Sequence, residues 1–276
     1  STEAKIRREI AIMKKCHHKH VVPLREVIDD PLSDKIYLGK CQNLTRSPLL
    51  EYMAGGEVKW RTAPDNQPLL TVDETRRILR DVILGLDYLH YQGIIHRDIK
   101  PANLLIHEDG TVKISDFGVS HFSYALKLAS AGENAALGGP TDDVLMDDRE
   151  LAKTAGSPAF FAPELCYKGP EPESYATIDV WALGVTLYCL LFGSVPYRAP
   201  NEYALYNIIP KEEFEIPPTM GRDAAPTGGR ERRLEGEGEG WEVAEVLERL
   251  LEKDPLKRIT LSELKVSGAL PIHFQR

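Results

Sequence analysis

The chain has 276 residues, of which 42% are hydrophobic and 28% are charged, and its net charge at pH 7 is -8. A chain of this size buries a core of one or two domains, and its acidic balance argues against a nucleic-acid-binding surface. The longest apolar run, residues 180–192, is shorter than the roughly 20 residues that a bilayer span requires, so no contact with a membrane is predicted.

Histidines and cysteines in the first part of the chain do not form a metal-binding pattern. His17, His18 and His20 lie together in a basic turn that has no cysteine partner, which favours a solvated loop over a metal site. The four cysteines contain no Cys-x-x-Cys spacing, and no signal peptide opens the chain. These features predict reduced thiols and a cytoplasmic location.

Helical patterns dominate the chain after residue 70. Thr71 and Glu74 have the spacing of a capping box, and apolar residues at helical spacing follow them as far as Gly93. Residues 179–192 are apolar nearly all round, which predicts a buried central helix. An amphipathic helix is expected over residues 242–252, and Thr260 begins a second capping box before a last helix.

Two short strands are predicted between the first two of these helices. Residues 103–106 and 112–115 are apolar segments on either side of Glu108-Asp109-Gly110, a turn of the Asp-Gly type. Such a hairpin holds Asn103 and Asp116 close together.

The most informative segment is the octamer His96-Arg97-Asp98-Ile99-Lys100-Pro101-Ala102-Asn103. Asp116-Phe117-Gly118 begins thirteen positions after Asn103, and Ala162-Pro163-Glu164 lies further downstream. Alone, Asp98 and Asn103 are compatible with an ordinary Asx turn, and an isolated Asp-Phe-Gly with a hairpin. In this order and spacing, these motifs closely resemble those of the eukaryotic protein kinases of the serine/threonine type.

The resemblance implies phosphoryl transfer from ATP with Mg²⁺ and assigns the catalytic residues. The residue at Asp98 orients the substrate hydroxyl and accepts its proton, while Lys100 reaches the γ-phosphate and favours serine or threonine as acceptor. Asn103 and Asp116 offer the hard oxygen ligands that suit Mg²⁺. Ser157 is expected to hydrogen-bond to Asp98 and Lys100.

The implied fold class is α+β, in the bilobal arrangement of protein kinases. Residues 1–53 form a partial small lobe that includes the regulatory helix, and residues 54–276 form a mainly helical large lobe. Within the large lobe, flexible loops are expected at about 124–149 and 219–240. The resemblance also implies structural roles: Asp179 braces the catalytic loop, Arg258 pairs with Glu164, and Glu9 lies at the position of the helix glutamate that forms an ion pair.

Two nucleotide-binding motifs of the protein kinases are not found in the chain. Neither a Gly-x-Gly-x-x-Gly loop nor a strand lysine precedes Glu9, so an N-terminally truncated small lobe is expected. Residues 39–48 interrupt the strand before the hinge, and proline in a central strand breaks ladder pairing. We interpret this irregular insertion as a consequence of an imperfect gene model.

If the strand re-forms beyond the insertion, the hinge supplies the adenine contacts. Glu51 and Met53 then provide a backbone carbonyl and amide for adenine, Glu57 faces the ribose, and Leu105 forms the floor of the pocket. Leu105 is equally compatible with an ordinary core position.

The sequences of several segments are most similar to those of the calmodulin-dependent kinase kinases and the fungal kinases that activate AMP-activated-type kinases. Val27-Ile28-Asp29-Asp30-Pro31 and Asp116-Phe117-Gly118-Val119-Ser120 carry this similarity. It implies a role in signalling, with a protein substrate that is itself a kinase. Binding of calmodulin is not supported, because no basic amphipathic helix is found near the C-terminus. The alternative is a non-catalytic kinase-like interaction module, which the missing phosphate loop favours.

Overall fold

One helix and three strands precede residue 70 in the described part of the chain, and five helices and six strands follow it. The computed structural model describes residues 2–29, 46–123, 126, 156–166, 176–229 and 239–266. The helices are α1 (Thr2–Lys15), α2 (Val72–Tyr91), α3 (Ala176–Phe192), α4 (Glu202–Ile208), α5 (Glu239–Leu250) and α6 (Leu261–Val266). The strands are β1 (Leu24–Asp29), β2 (Arg46–Leu50), β3 (Gly56–Glu57), β4 (Ile94–Ile95), β5 (Leu104–Ile106), β6 (Val112–Ile114), β7 (His121–Phe122), β8 (Thr219–Met220) and β9 (Ala225–Pro226).

Helix α2 begins where the sequence predicts. The Thr71 hydroxyl accepts a hydrogen bond from the Glu74 amide, and the Glu74 carboxylate accepts one from the Thr71 amide. Together these bonds satisfy two amide groups that the first turn leaves without a helical partner. The helix ends before Gly93, which has a φ of 78°. Thr260 and Glu263 cap α6 in the same way, so both predicted capping boxes are confirmed.

Helix α3 forms the centre of the core. All of its residues from Ile178 to Phe192 are buried, as its apolar composition predicts. The apolar face of α2 packs against α3 and against the β5–β6 hairpin. Fully buried side chains of α2 and α3 include Leu79, Ile83, Leu86, Leu89 and Trp181. This core gives the loops around it a rigid base.

The predicted hairpin between residues 103 and 115 is confirmed. Strands β5 and β6 pair antiparallel, and β3 adds to the other edge of β5 to make a three-stranded sheet. In the turn, Gly110 has a φ of 82°, a conformation that favours glycine. Hydrogen bonds from Thr111 hold the pKa of the exposed Asp109 carboxyl well below its usual value.

Strands β1 and β2 correct the expectation for the insertion. Although proline was expected to break the ladder, Pro48 lies within β2 and pairs in register with Val27. The described residues form only a two-stranded sheet here, and an edge strand tolerates a residue that lacks an N–H group. The strand therefore re-forms at Arg46, and the preceding residues of the insertion lie outside the described residues.

The turn after α1 packs its histidines against α2 and β6. His18 stacks on the Tyr88 ring with a centroid separation of 4.7 Å, and His20 Nδ1 lies 3.1 Å from the Val112 carbonyl oxygen. His18 and His20 thus join the end of α1 to α2 and β6. Cys16, Cys166 and Cys189 are free thiols.

One of the two loops predicted to be flexible contains ordered backbone. Strands β8 and β9 form a small antiparallel hairpin, and the Thr227 and Gly228 amides both donate to the Pro218 carbonyl. The expected loop at 219–240 therefore carries ordered structure over residues 219–229. The other predicted loop, at 124–149, lies outside the described residues apart from Leu126. None of the helices in the described part of the chain has the length and apolar character needed to cross a bilayer.

Arg258 joins three parts of the large lobe. Its guanidinium donates two hydrogen bonds to the Glu164 carboxylate, at 2.7 and 2.9 Å, and a third to the Thr177 carbonyl at 2.9 Å. The guanidinium also lies 5.1 Å from the centre of the Trp181 ring. The Arg258 side chain is fully buried and that of Glu164 is 6% exposed, which confirms the pair predicted from the sequence.

Removing this arginine should destabilise the fold strongly. In Arg258→Ala, Glu164 keeps a buried charge without its counter-ion, which costs about 3–5 kcal/mol of unfolding free energy. Urea unfolding followed by circular dichroism measures this loss. The control is Lys257→Ala, because Lys257 forms an exposed ion pair with Asp254 that contributes at most about 1 kcal/mol. An equal loss of unfolding free energy in the two variants would contradict the structural role of the buried Arg258–Glu164 pair.

Candidate active site

A short loop between β4 and β5 places the side chains of the octamer around one carboxylate. Lys100 Nζ lies 2.7 Å from Asp98 Oδ2 and 2.7 Å from Ser157 Oγ. Asn103 donates from its amide nitrogen to Asp98 Oδ2 at 3.0 Å and to the Asp98 carbonyl at 2.8 Å. A 3₁₀ turn at Pro101–Asn103 folds Asn103 back toward Asp98. The sequence-predicted acid, amine and amide therefore meet at one point.

The Asp98 carboxylate is buried but remains charged. Burial alone raises the pKa of Asp98, but hydrogen bonds from Lys100 and its neighbours outweigh this effect and hold the pKa below its usual value. Its Oδ2 atom has two donors, whereas Oδ1 is buried and accepts no hydrogen bond from the residues that the structure describes. The carboxylate thus offers one unsatisfied acceptor atom at the centre of the site.

Gly156 allows the chain carrying Ser157 to approach this loop. Its φ is 114°, and a Cβ atom there would lie 2.6 Å from the Arg97 carbonyl oxygen. Only glycine fits such a contact without a shift of the backbone. The position of Ser157 beside Lys100 therefore depends on the absence of a side chain at residue 156.

Asp179 holds the backbone of the catalytic loop. Its Oδ2 accepts from the His96 amide at 2.8 Å, and its Oδ1 accepts from the Arg97 amide at 2.7 Å. Burial raises the pKa of Asp179, but these bonds and His90 Nε2, 2.8 Å away, lower it overall. Arg97 adopts a φ of 71°, an uncommon conformation for a residue with a side chain. The brace predicted for Asp179 is present, and it supports this strained turn.

His96 links the octamer to the Asp-Phe-Gly segment without carrying a charge. Burial lowers the pKa of His96. Its Nδ1 accepts from the Asp98 amide at 3.3 Å, and its Nε2 faces the Ser115 carbonyl at 3.0 Å. The proton therefore lies on Nε2. The ring also makes an edge contact with Phe117 at a centroid separation of 5.2 Å, so the octamer and the Asp-Phe-Gly segment pack as one unit.

Asp116 follows directly from the strand that contacts Asn103. The Ser115 amide and hydroxyl both donate to the Asn103 carbonyl, each at 2.9 Å. Asp116 has a φ of 64°, and its Oδ1 accepts from the Gly118 amide at 3.2 Å. The hairpin thereby keeps Asn103 and Asp116 in neighbouring positions, as the sequence predicts.

The hinge presents one acceptor and one donor from its backbone. The Glu51 amide donates to the Pro23 carbonyl at 3.3 Å, and the Met53 carbonyl accepts from the Gly56 amide at 3.0 Å. Among the described residues, these bonds leave the Glu51 carbonyl and the Met53 amide without a backbone partner. Leu105 pairs with Glu57 across β3 and β5, so the predicted pocket floor and the predicted ribose contact are neighbours.

Two further residues of the site were not anticipated from the sequence. His90 is a third partner of Asp179, and Lys113 forms an ion pair with the Glu51 side chain. A sequence signal for Lys113 exists, because strand alternation places it on the same face as its partner Leu105. For His90 no such signal exists, because the contact joins residues 89 positions apart.

Glu9 approaches the Asp-Phe-Gly segment from α1. Its side chain is buried, and Oε2 lies 3.9 Å from the place where a Gly118 Cβ would be. Burial, together with the charge of Asp116, raises the pKa of Glu9 to about 7. The helix glutamate therefore lies where its resemblance to the kinases puts it, beside a second carboxylate.

The raised pKa of Glu9 predicts a pH-dependent stability. Between 4.5 and about 7 the folded chain retains a proton that the unfolded chain has released, so stability falls as the pH rises through this window. In the 276-residue chain, Glu9→Gln should gain roughly 2–3 kcal/mol over the wild type at about pH 8 and almost nothing at about pH 4. Urea unfolding at both pH values measures the difference.

The control for this experiment is Glu26→Gln, because Glu26 lies on the exposed side of β1. The small effect of Glu26→Gln on the free energy of unfolding should be the same at both pH values. A gain for Glu9→Gln that does not change with pH would contradict the prediction.

The chain is similar in sequence to serine/threonine-protein kinases of fungi. The chain is 51% identical over 269 residues to the serine/threonine-protein kinase ssp1 of Schizosaccharomyces pombe, covering 96% of this chain and 34% of that protein. It is 46% identical over 286 residues to SNF1-activating kinase 1 of Saccharomyces cerevisiae, covering 96% and 23%. It is 41% identical over 270 residues to the serine/threonine-protein kinase TOS3 of Saccharomyces cerevisiae, covering 95% and 43%.

These relatives are longer proteins, and the chain spans between about a quarter and somewhat under a half of their lengths. The sequence profile of the protein kinase domain matches residues 1–267, which include every side chain of the site described above. The chain therefore belongs to the protein kinase domain family.

Proposed function

We propose that the protein containing this chain transfers the γ-phosphoryl group of ATP to a serine or threonine hydroxyl of a protein substrate. The observation that carries this proposal is the unsatisfied Oδ1 atom of Asp98, in a carboxylate whose other oxygen is held by Lys100 and Asn103. A buried acceptor of this kind fits a hydroxyl donor.

Asp98 orients the acceptor hydroxyl in this proposal. The hydroxyl donates to Oδ1, which turns its oxygen toward the phosphoryl group, and the carboxylate takes the proton as the new bond forms. Its lowered pKa keeps Asp98 ionised before the reaction. Lys100, 24% exposed in its side chain, supplies a positive charge beside the position where the transferred group gains negative charge.

Asn103 and Asp116 fit the proposed metal. Both hydrogen-bonding contacts of the Asn103 side chain use its amide nitrogen, which leaves the amide oxygen to face a cation. Asp116 adds a carboxylate from the other side of the Ser115–Asn103 contact. Oxygen ligands of this kind suit Mg²⁺, which when bound neutralises charge on the phosphates of ATP.

The hinge backbone fits the adenine ring. The Glu51 carbonyl and the Met53 amide form an acceptor and donor pair, which matches the exocyclic amine and a ring nitrogen of adenine. Glu57 and Leu105 lie side by side on the adjoining sheet, where we assign them to the ribose and to the pocket floor.

The substrate proposed for this site is another protein kinase. SNF1-activating kinase 1, which carries that activity in its name, is 46% identical to this chain. We accordingly propose a cytoplasmic signalling role, with no contact to nucleic acid or membrane and none to calmodulin.

Replacement of Asp98 tests the proposal. In the full-length protein, Asp98→Asn should lower kcat for phosphorylation of a protein substrate by about 10²–10⁴-fold, because general base and orienting contributions have this size. Phosphate transfer from radiolabelled ATP measures it. The control is Asp109→Asn at the exposed hairpin turn, which should retain near-wild-type kcat. Similar activity in the two variants would contradict the role of Asp98.

Nucleotide binding by the 276-residue chain distinguishes a catalytic domain from an interaction module. Mg-ATP should raise the apparent melting temperature in a thermal-shift titration, because a ligand that binds the native state stabilises it by about 2.7 kcal/mol at one hundred times its Kd. Mg-GTP at equal concentration serves as the control. No shift at millimolar Mg-ATP would favour the interaction module for this chain.

A further inference from the structure

Three charged residues from different parts of the chain meet beside the hinge. Arg25 Nη2 of β1 lies 2.5 Å from Glu51 Oε1, and Lys113 Nζ of β6 pairs with Glu51 Oε2. We call Arg25, Glu51 and Lys113 the hinge cluster. The side chains of Glu51 and Lys113 are each only 12% exposed, whereas that of Arg25 is 59% exposed. The two carboxylate oxygens of Glu51 thus each bind a different cationic side chain, Oε1 that of Arg25 and Oε2 that of Lys113.

Local backbone structure directs both cations to Glu51. The ladder between β1 and β2 shifts its register between Leu24 and Glu26, so Arg25 is the extra residue of a β-bulge. Bulges redirect a side chain relative to its neighbours in a strand, and here the redirected side chain reaches the hinge. The hydrogen bond from the Glu51 amide to the Pro23 carbonyl fixes the hinge to the same bend of β1.

Lys113 approaches Glu51 from the sheet beneath the predicted adenine pocket. Glu57 pairs in register with Leu105, and Leu105 pairs in register with Lys113. Residues directly opposite each other in adjacent strands project from the same face of a sheet. One row of side chains therefore crosses β3, β5 and β6, made of Glu57, Leu105 and Lys113. Lys113, at the end of the row, forms the ion pair with the Glu51 side chain.

We propose that the hinge cluster fixes the distance between the hinge backbone and the β5–β6 hairpin, and that Lys113 thereby sets the affinity of the site for adenine. This inference rests on the proposed function, because it concerns the same nucleotide. Lys113 is a positioning residue. It acts through Glu51, whose backbone carbonyl accepts from adenine, and through Leu105, which lies below the ring.

The pair with Lys113 outweighs the pair with Arg25. An ion pair of an exposed side chain contributes little because water and salt screen it, as applies to Arg25. Lys113 and Glu51 are largely shielded, so either one left alone keeps a poorly hydrated charge. The hydrogen bond from Lys113 is also the main reason why the pKa of Glu51 lies below its usual value.

A charge-exchange series in the full-length protein tests this role. In Lys113→Met, KM for ATP should rise about 3–10-fold while kcat changes less than about twofold, because the lost interaction concerns nucleotide binding and not transfer. Lys113→Glu should raise KM further, since it places a second carboxylate beside Glu51. The double variant Glu51→Lys, Lys113→Glu restores the attraction, and KM should return to within about threefold of the wild type.

The matched control removes an ion pair away from the hinge. Lys265 Nζ lies 2.8 Å from Asp87 Oδ2, and Lys265→Met should leave KM for ATP unchanged. Urea unfolding of every variant shows that each protein is folded at the assay temperature. An unchanged KM in Lys113→Met would overturn the inference, as would a double variant that is no better than Lys113→Glu.

Failure of the proposed function can be told apart from failure of the inference on the hinge cluster. If the wild type binds Mg-ATP without transferring phosphate, the proposed function fails, and the same series measured as Kd by calorimetry still tests the hinge cluster. In that case Kd should follow the order expected for KM. If the wild type does not bind Mg-ATP at all, both proposals are overturned.

Discussion

The buried carboxylate of Asp179 is the contact on which the geometry of the site depends. It accepts from two consecutive backbone amides, those of His96 and Arg97, at a point where Arg97 has a positive φ. Without such an acceptor, two buried amides lose their partners and the turn has no support for its strained conformation. Asp98 and Lys100 follow this turn directly, so their directions are set by a residue more than seventy positions away.

The first two turns of α3 stabilise the segment that carries Glu164 as well as the octamer. Thr177 and Trp181, on either side of Asp179, both contact Arg258, which in turn binds Glu164. Helix α3 is buried along almost its whole length. One buried helix therefore supports both the octamer and the segment that carries Glu164.

Local patterns in the sequence predicted the elements with strong signals, and the resemblance to protein kinases predicted two contacts between distant residues, that of Asp179 with the octamer and that of Arg258 with Glu164. The capping boxes at Thr71 and Thr260 and the Asp-Gly hairpin follow from interactions within a few residues, so they were predicted correctly. Pro48 in β2 was not, because the strand context that tolerates a missing N–H depends on how many neighbours the strand has. The Lys113–Glu51 pair was missed because it joins residues 62 positions apart, and its contact depends on where β6 lies relative to the residues after β2.

The Asp98 Oδ1 atom has a consequence for the evolution of such a site. A buried acceptor that has no partner among the described residues costs the folded chain on the order of 1–3 kcal/mol. A sequence optimised for stability alone would place an apolar residue here or supply a donor. In the function proposed above, this loss of stability is what keeps an acceptor atom open for the substrate hydroxyl.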